Sequence, residues 1–192
     1  MRKSLFDVFE GLVLTPELHE NFKESHVTAV VMDKTQGLVG ISLVLNTIVH
    51  PKFTQALEES IYAFLGYPDE MGVHIDEEYE LTFHLEFKDL FTIYEQSLMY
   101  LVKKYNPICF ASMKNGTLQV GDHILVYNVP VTGYQYMTEF NMSDIIISIF
   151  KKKFGIDIDV EFTKDSDENH IYQEFLRSRD LEQKNLLKKH AL

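Results

Sequence analysis

Two stretches of this chain alternate without error between apolar and polar residues, Tyr79–Glu86 and Ile156–Phe162. Alternation at a period of two gives one dry and one wet face, so each stretch reads as a half-buried strand. A half-buried strand needs partner strands and a covering layer. The residues ahead of each stretch supply both, in the same order twice.

In the first half, Leu5–Leu14 places Leu5, Phe6, Phe9, Leu12 and Val13 at helical spacing. Thr15-Pro16-Glu17 opens a short helix to Phe22, with Thr15 as N-cap and Pro16 at the first helical position. The β-like runs His26–Met32 and Leu38–Leu45 flank a polar turn ending in Gly37, which predicts a hairpin. Pro51 then opens a helix with Phe53, Leu57, Ile61, Phe64 and Leu65 on one stripe, ended by Gly66-Tyr67-Pro68-Asp69. In the second half, a helix over Lys88–Lys104 stops at Asn106-Pro107, with a short helical turn through Ser112. Strands Thr117–Val120 and His123–Val129 meet around Gly121-Asp122. One long helical segment runs from there to Phe154 and Gly155.

The predicted fold class is α+β. Two tandem small domains, 1–86 and 87–163, each carry a three-stranded sheet with helices on one face, in the order α-ββ-α-β. A charged helical linker, 164–192, follows, with Ile171, Phe175 and Leu176 near helical spacing. The two halves share this order without residue-level similarity.

Charge and cysteine content narrow the function classes. The formal net charge is −11, and the densest basic run is Lys151-Lys152-Lys153. Nucleic-acid affinity rests on phosphate neutralisation, so direct binding is expected to be weak or missing. The single cysteine, Cys109, excludes an internal disulfide and a multi-cysteine zinc site, and its apolar setting predicts an inert buried thiol. No apolar run approaches the ~18 residues of a membrane span. Acids at Asp7 and Glu10 interrupt any secretory h-region, so the expected location is cytoplasmic.

The chemistry-bearing patterns have plain structural readings. Asp157-x-Asp159-x-Glu161 resembles a two-metal carboxylate strand, but such chemistry needs further converging acids, and alternation with Ile156, Ile158 and Val160 makes these the wet face. Gly37-Leu38-Val39-Gly40 matches the Gly-x-x-Gly of single-strand-binding KH domains, yet it enters a strand instead of joining two helices. Of the close His–acid pairs, His74-x-Asp76 and His84-x-Glu86, neither has the helical His-x-x-x-His geometry. Asp165-Ser166-Asp167-Glu168-Asn169 lacks the central Gly of a calcium loop. No nucleophile elbow and no phosphate-cradling glycine loop occur. The expectation is a chain with no catalytic residues, no metal and no cofactor.

Five pieces together resemble a known pattern. They are Pro51-Lys52-Phe53 before an aromatic-rich helix, the Asn106-Pro107-Ile108 break, the Gly121-Asp122-His123-Ile124-Leu125-Val126 strand, Lys152-Lys153-Phe154-Gly155 into Ile156–Phe162, and the tail Tyr172-Gln173-Glu174-Phe175-Leu176-Arg177. The chain is similar over essentially its whole length to the N-terminal region of the PolC-type DNA polymerase III α subunit of low-GC Gram-positive bacteria. That resemblance implies truncated KH-like modules and a non-catalytic region of a DNA-directed DNA polymerase. It also implies docking to the clamp-loader τ subunit during DNA replication, by a chain expected to be a monomer. A KH-like nucleic-acid-binding module is the alternative, and it would need a basic face.

A docking face follows from the alternation. Val27, Val31, Ile41, Leu43, Leu45, Leu81, Phe83 and Leu85 are expected to face the helices. The opposite face then carries the candidate partner-binding residues Val30, Met32, Val44, Thr82 and His84. An apolar face with few charges suits a protein interface.

Overall fold

The computed structural model describes residues 2–33, 35–66 and 71–165. The expected linker over 164–192, the calcium-like run and the tail beginning at Tyr172 lie outside these residues, apart from Lys164 and Asp165.

The fold is α+β. One sheet orders β1 (Lys3–Ser4), β2 (His26–Asp33), β3 (Leu38–Leu45) and β4 (Gly72–Tyr79) side by side. The other orders β5 (Thr117–Val120), β6 (Ile124–Val129) and β7 (Asp159–Lys164). In both, a hairpin is antiparallel and the last strand runs parallel to the hairpin's second strand. Parallel neighbours require a crossover of about a dozen residues or more. In the first half that crossover is α3 (Pro51–Leu65), which buries Thr54, Leu57 and Ile61. In the second it is a pair, α6 (Val131–Glu139) and α7 (Met142–Phe154). Before the sheets come α1 (Leu5–Val8) and α2 (Pro16–Phe22), then α4 (Phe87–Tyr105) and α5 (Pro107–Asn115).

The cap residues act as their sequence positions suggest. Thr15 Oγ1 accepts from the Leu18 amide at 3.4 Å, and Asn106 Oδ1 accepts from the Ile108 and Cys109 amides at 2.9 and 3.1 Å. Gly66 and Gly155 close α3 and α7 in the left-handed conformation, with φ of 59° and 69°. Two hydrophobic clusters result. One centres on Leu5, Phe22, Ile41, Leu43, Leu57 and Ile61, the other on Tyr94, Leu98, Leu125, Met142, Ile146 and Phe150. Ile48 and Phe154 pack against both.

Several elements depart from the sequence expectation. The first sheet has four strands, because Lys3–Ser4 pairs with Val27 and His26. The helix expected over Leu5–Leu14 ends at Val8, and the chain turns at Gly11 with φ 89°. Phe9 and Leu12 stay buried, whereas Val13 is left in solvent. The long helical segment is two helices, broken at Asn141, which takes φ 49°. The short turn of α5 continues to Asn115, and β7 starts at Asp159, opposite the first residue of β6.

The largest correction concerns Tyr79–Glu86. The strand is Gly72–Tyr79, and Leu81–Glu86 form an irregular connection to α4. Apart from Glu77, the odd-numbered positions from Val73 through Leu85 are apolar or aromatic, so periodicity gives no end point at Tyr79. The partner strand does: β3 supplies pairing residues only from Leu38 to Leu45, opposite Gly72 to Tyr79. The last bond of the ladder runs from the Glu80 amide to the Leu45 carbonyl, where β3 ends.

A close approach between α5 and α6 yields a test. A Cβ at Gly133 would lie 2.5 Å from the Ser112 Cβ. Gly133→Ala should destabilise the protein by roughly 1–3 kcal/mol, against the ~1 kcal/mol that Ala gains in a helix interior. Thermal denaturation should show the loss. Ser112→Gly should relieve it and Ser112→Ala should not.

Candidate functional site

Between the two halves lies a cleft of about 600 Å³. Its walls are one face of α3 (Thr54, Gln55, Glu58), the His74–Glu77 stretch of β4, the end of α4 (Tyr100, Lys104, Tyr105) and one face of α7 (Ile145, Ser148, Ile149, Lys152). α3 and α7 each present a continuous stripe, because residues three and four apart share a helix face.

The closed end of the cleft is a buried ion pair. Glu77 sits on the inner face of β4 with its side chain 2% exposed, and Lys153 Nζ of α7 reaches Glu77 Oε2 at 2.5 Å. Thr54 Oγ1 donates to the other oxygen, and the Tyr79 hydroxyl lies 3.1 Å from both Glu77 Oε2 and the Val49 carbonyl. A buried carboxylate is tolerated only when paired and hydrogen-bonded. Both oxygens of Glu77 are engaged, so it holds the halves together and is not poised as a general base. Around the pair, Phe154 stacks on Tyr79 at 4.9 Å and meets Tyr94 edge-on at 4.9 Å. Burial pushes the Tyr79 and Tyr94 phenols well above their ordinary range, with the Glu77 charge adding to it, so both stay protonated.

At the open end, Glu58 Oε1 accepts from the Ile75 amide at 2.8 Å and lies 3.1 Å from His74 Nδ1. The hydrogen bond to Glu58 raises the His74 pKa above its usual value, with burial opposing it. Asp76 Oδ1 stands 3.6 Å from His74 Nε2. Tyr100 and Lys104 of α4 bridge to Gln55 of α3.

The partner-binding candidates from sequence do not form one face. A bulge in β2 between Val27 and Ala29 inserts one residue, so Val30 pairs with Ile41 and Met32 with Val39. A one-residue shift moves every later side chain to the other side of the sheet. Val30 and Met32 therefore share the face of the buried Ile41 and Val39, and Val31 lies on the opposite one. All three are exposed nonetheless, at 49%, 46% and 62%. β1 pairs with β2 only at His26 and Val27, so the outer edge of Ala29–Asp33 stays open. Val44 is buried, in the central strand between its register partners His26 and Glu78. Thr82 and His84 lie off the sheet in the connection to α4, as does Phe83.

Other sequence candidates are also placed. Asp157 is bound by Lys151 at 2.6 Å, and Asp159 and Glu161 are exposed along β7. Cys109 is buried, and burial raises its thiol pKa. Gly37 takes φ 61° at the hairpin turn, and Gly40 lies within β3. A Cβ at Gly40 would meet only an ordinary contact, 3.8 Å from the Val31 carbonyl, so no close approach requires glycine there. Among the described residues, no three His, Cys, Asp or Glu side chains gather as a metal site, and no helix is long and apolar enough to cross a membrane.

Sequence reading missed both the cleft and Val31. The cleft is assembled from residues within 51–58, 74–77, 100–105 and 144–153, and no local spacing marks it. Val31 changed face because the bulge has no sequence signature. No family model matches the chain, and the searches of curated proteins and of solved structures return no match.

The ion pair can be tested directly. Glu77→Gln or Lys153→Met alone leaves a buried partner unmatched and should destabilise by about 3–5 kcal/mol. The double variant Glu77→Gln/Lys153→Met should lose less than the sum of the two. Urea denaturation of the four proteins reads the coupling, and additive losses would show that the pair contributes nothing as a pair.

Proposed function

We propose that this chain is a non-catalytic protein-docking region, the N-terminal region of a PolC-type replicative polymerase, that tethers the polymerase to the clamp-loader τ subunit. The observation that carries this reading is the run Val30-Val31-Met32, exposed on both faces of β2 beside an open sheet edge. Proteins ordinarily blunt such an edge with charge, proline or a covering element. An uncovered apolar edge suits strand addition by a partner, in which main-chain bonds supply affinity and alternate side chains supply specificity. The resemblance in the order and spacing of the sequence pieces supplies the identity of the partner. Apart from the added β1 strand of the first half, the α-ββ-α-β order supports reading both halves as truncated KH-like modules. The net charge of −11 argues against a phosphate backbone as the ligand.

Calorimetric titration of the chain with the C-terminal region of τ tests the reading. Val31→Asp and Met32→Asp, each with an unchanged circular dichroism spectrum, should weaken binding at least tenfold, about 1.4 kcal/mol. Unchanged affinity in both variants would move docking away from β2, and no binding by the unaltered chain would remove τ as the partner.

A further inference from the structure

We propose that the cleft between the two halves is a second binding site, one that takes an extended, apolar peptide segment bearing a basic residue. The peptide pairs its main chain with the open edge of β4. The site is separate from the β2 edge and does not rest on the docking function above.

The edge itself is the first support. β4 ends the sheet order, with β3 on one side and no strand on the other. The Gly72 amide donates to the Gly37 carbonyl and the Glu80 amide to the Leu45 carbonyl, so even-numbered residues turn their backbone groups toward β3. In a parallel pair, a residue turns its amide and carbonyl to the same side, so Val73, Ile75 and Glu77 turn theirs outward. The outward Ile75 amide is met by the Glu58 carboxylate at 2.8 Å, the place a neighbouring strand's carbonyl would occupy. A side chain from α3 thus stands in for a missing strand, and it can swing away when a real one arrives.

The space beside that edge fits the same occupant. The cleft volume of about 600 Å³ falls within the roughly 300–1,000 Å³ of ligand sites. The four β4 residues lining it, His74 to Glu77, span about 13 Å of strand, room for four or five peptide residues. Ile145 and Ile149 of α7 and the rings of Tyr100 and Tyr105 form apolar walls for side chains projecting from such a strand.

Charge selects the peptide further. Glu77 is neutralised by Lys153, and Lys104 is turned to Gln55 and the Tyr100 ring. Glu58 and Asp76 share His74 between them, and Asp144 makes no ion pair among the described residues. Lys104 and Lys152 make no ion pair among the described residues and keep their charge in the cleft. The lining thus sets four carboxylates (Glu58, Asp76, Glu77, Asp144) against three lysines (Lys104, Lys152, Lys153), and in a chain of net charge −11 this excess favours a ligand carrying Lys or Arg over an acidic one.

The test pans a phage-displayed library of random decapeptides against the full chain and synthesises the strongest binder. Amide hydrogen exchange followed by NMR should show new protection at Val73, Ile75 and Glu77 in the complex. Ser148→Trp, which fills the cleft from α7, should weaken the peptide at least tenfold, and Val31→Asp should leave it unchanged. Enriched peptides should combine apolar residues with Lys or Arg. Failure to enrich any peptide, affinity indifferent to Ser148→Trp, protection at β2 in place of β4, or a helical bound peptide would each overturn the proposal.

Discussion

The parallel pairing of the third strand in each half sets the rest of the architecture. A hairpin alone buries too little to be stable in water, and a third strand on the same sheet needs a covering layer as well. Because β4 and β7 run parallel to the strands they join, the chain must cross the sheet before returning. That crossing places α3, and α6 with α7, over the sheets and closes two cores around Leu57 and Ile61 and around Ile146 and Phe150. It also makes the last strand a sheet edge. In the first half this puts β4 at the boundary with α7, where the cleft between the halves opens.

The two cores are small, and they are joined by more than the connecting chain. Ile48 and Phe154 touch both, Phe154 stacks on Tyr79, and Lys153 reaches across to the carboxylate of Glu77. A buried ion pair adds little net stability compared with apolar residues of the same shape, but it is intolerant of misalignment. Here it ties the end of α7 to one position along β4. With Gln55 bridged to Tyr100 and Lys104, the halves are held at two separated places and the cleft lies between them.

Several acidic residues serve as partners for neighbouring groups. Asp157 holds Lys151, Glu80 holds Arg2, and Glu58 satisfies a strand amide. The exposed surface of interest is instead apolar and lies at strand edges. Val30, Val31 and Met32 on β2, and the outward backbone of β4, are the places where the sheet stops before its hydrogen-bonding capacity is used.

Much of the fold was legible in local sequence. Thr15-Pro16, Asn106-Pro107, Gly66 and Gly155 mark helix ends because caps, fixed φ and left-handed glycine act within a few residues. The β2–β3 hairpin and the helices α3 and α4 follow from turn residues and apolar spacing, which are also local. What the tertiary structure alone decided were lengths, faces and neighbours. β4 ends at Tyr79 because β3 ends at Leu45, although the alternation continues to Leu85. Val30 and Val31 exchange faces because one extra residue in β2 shifts the pairing, and Val44 is buried because its strand is central. Glu77 reads as a break in an apolar face until Lys153, 76 residues away, arrives to neutralise it. Periodicity records which side of a strand is dry, whereas pairing, and the burial of charge, depend on partners that the chain brings near only by folding.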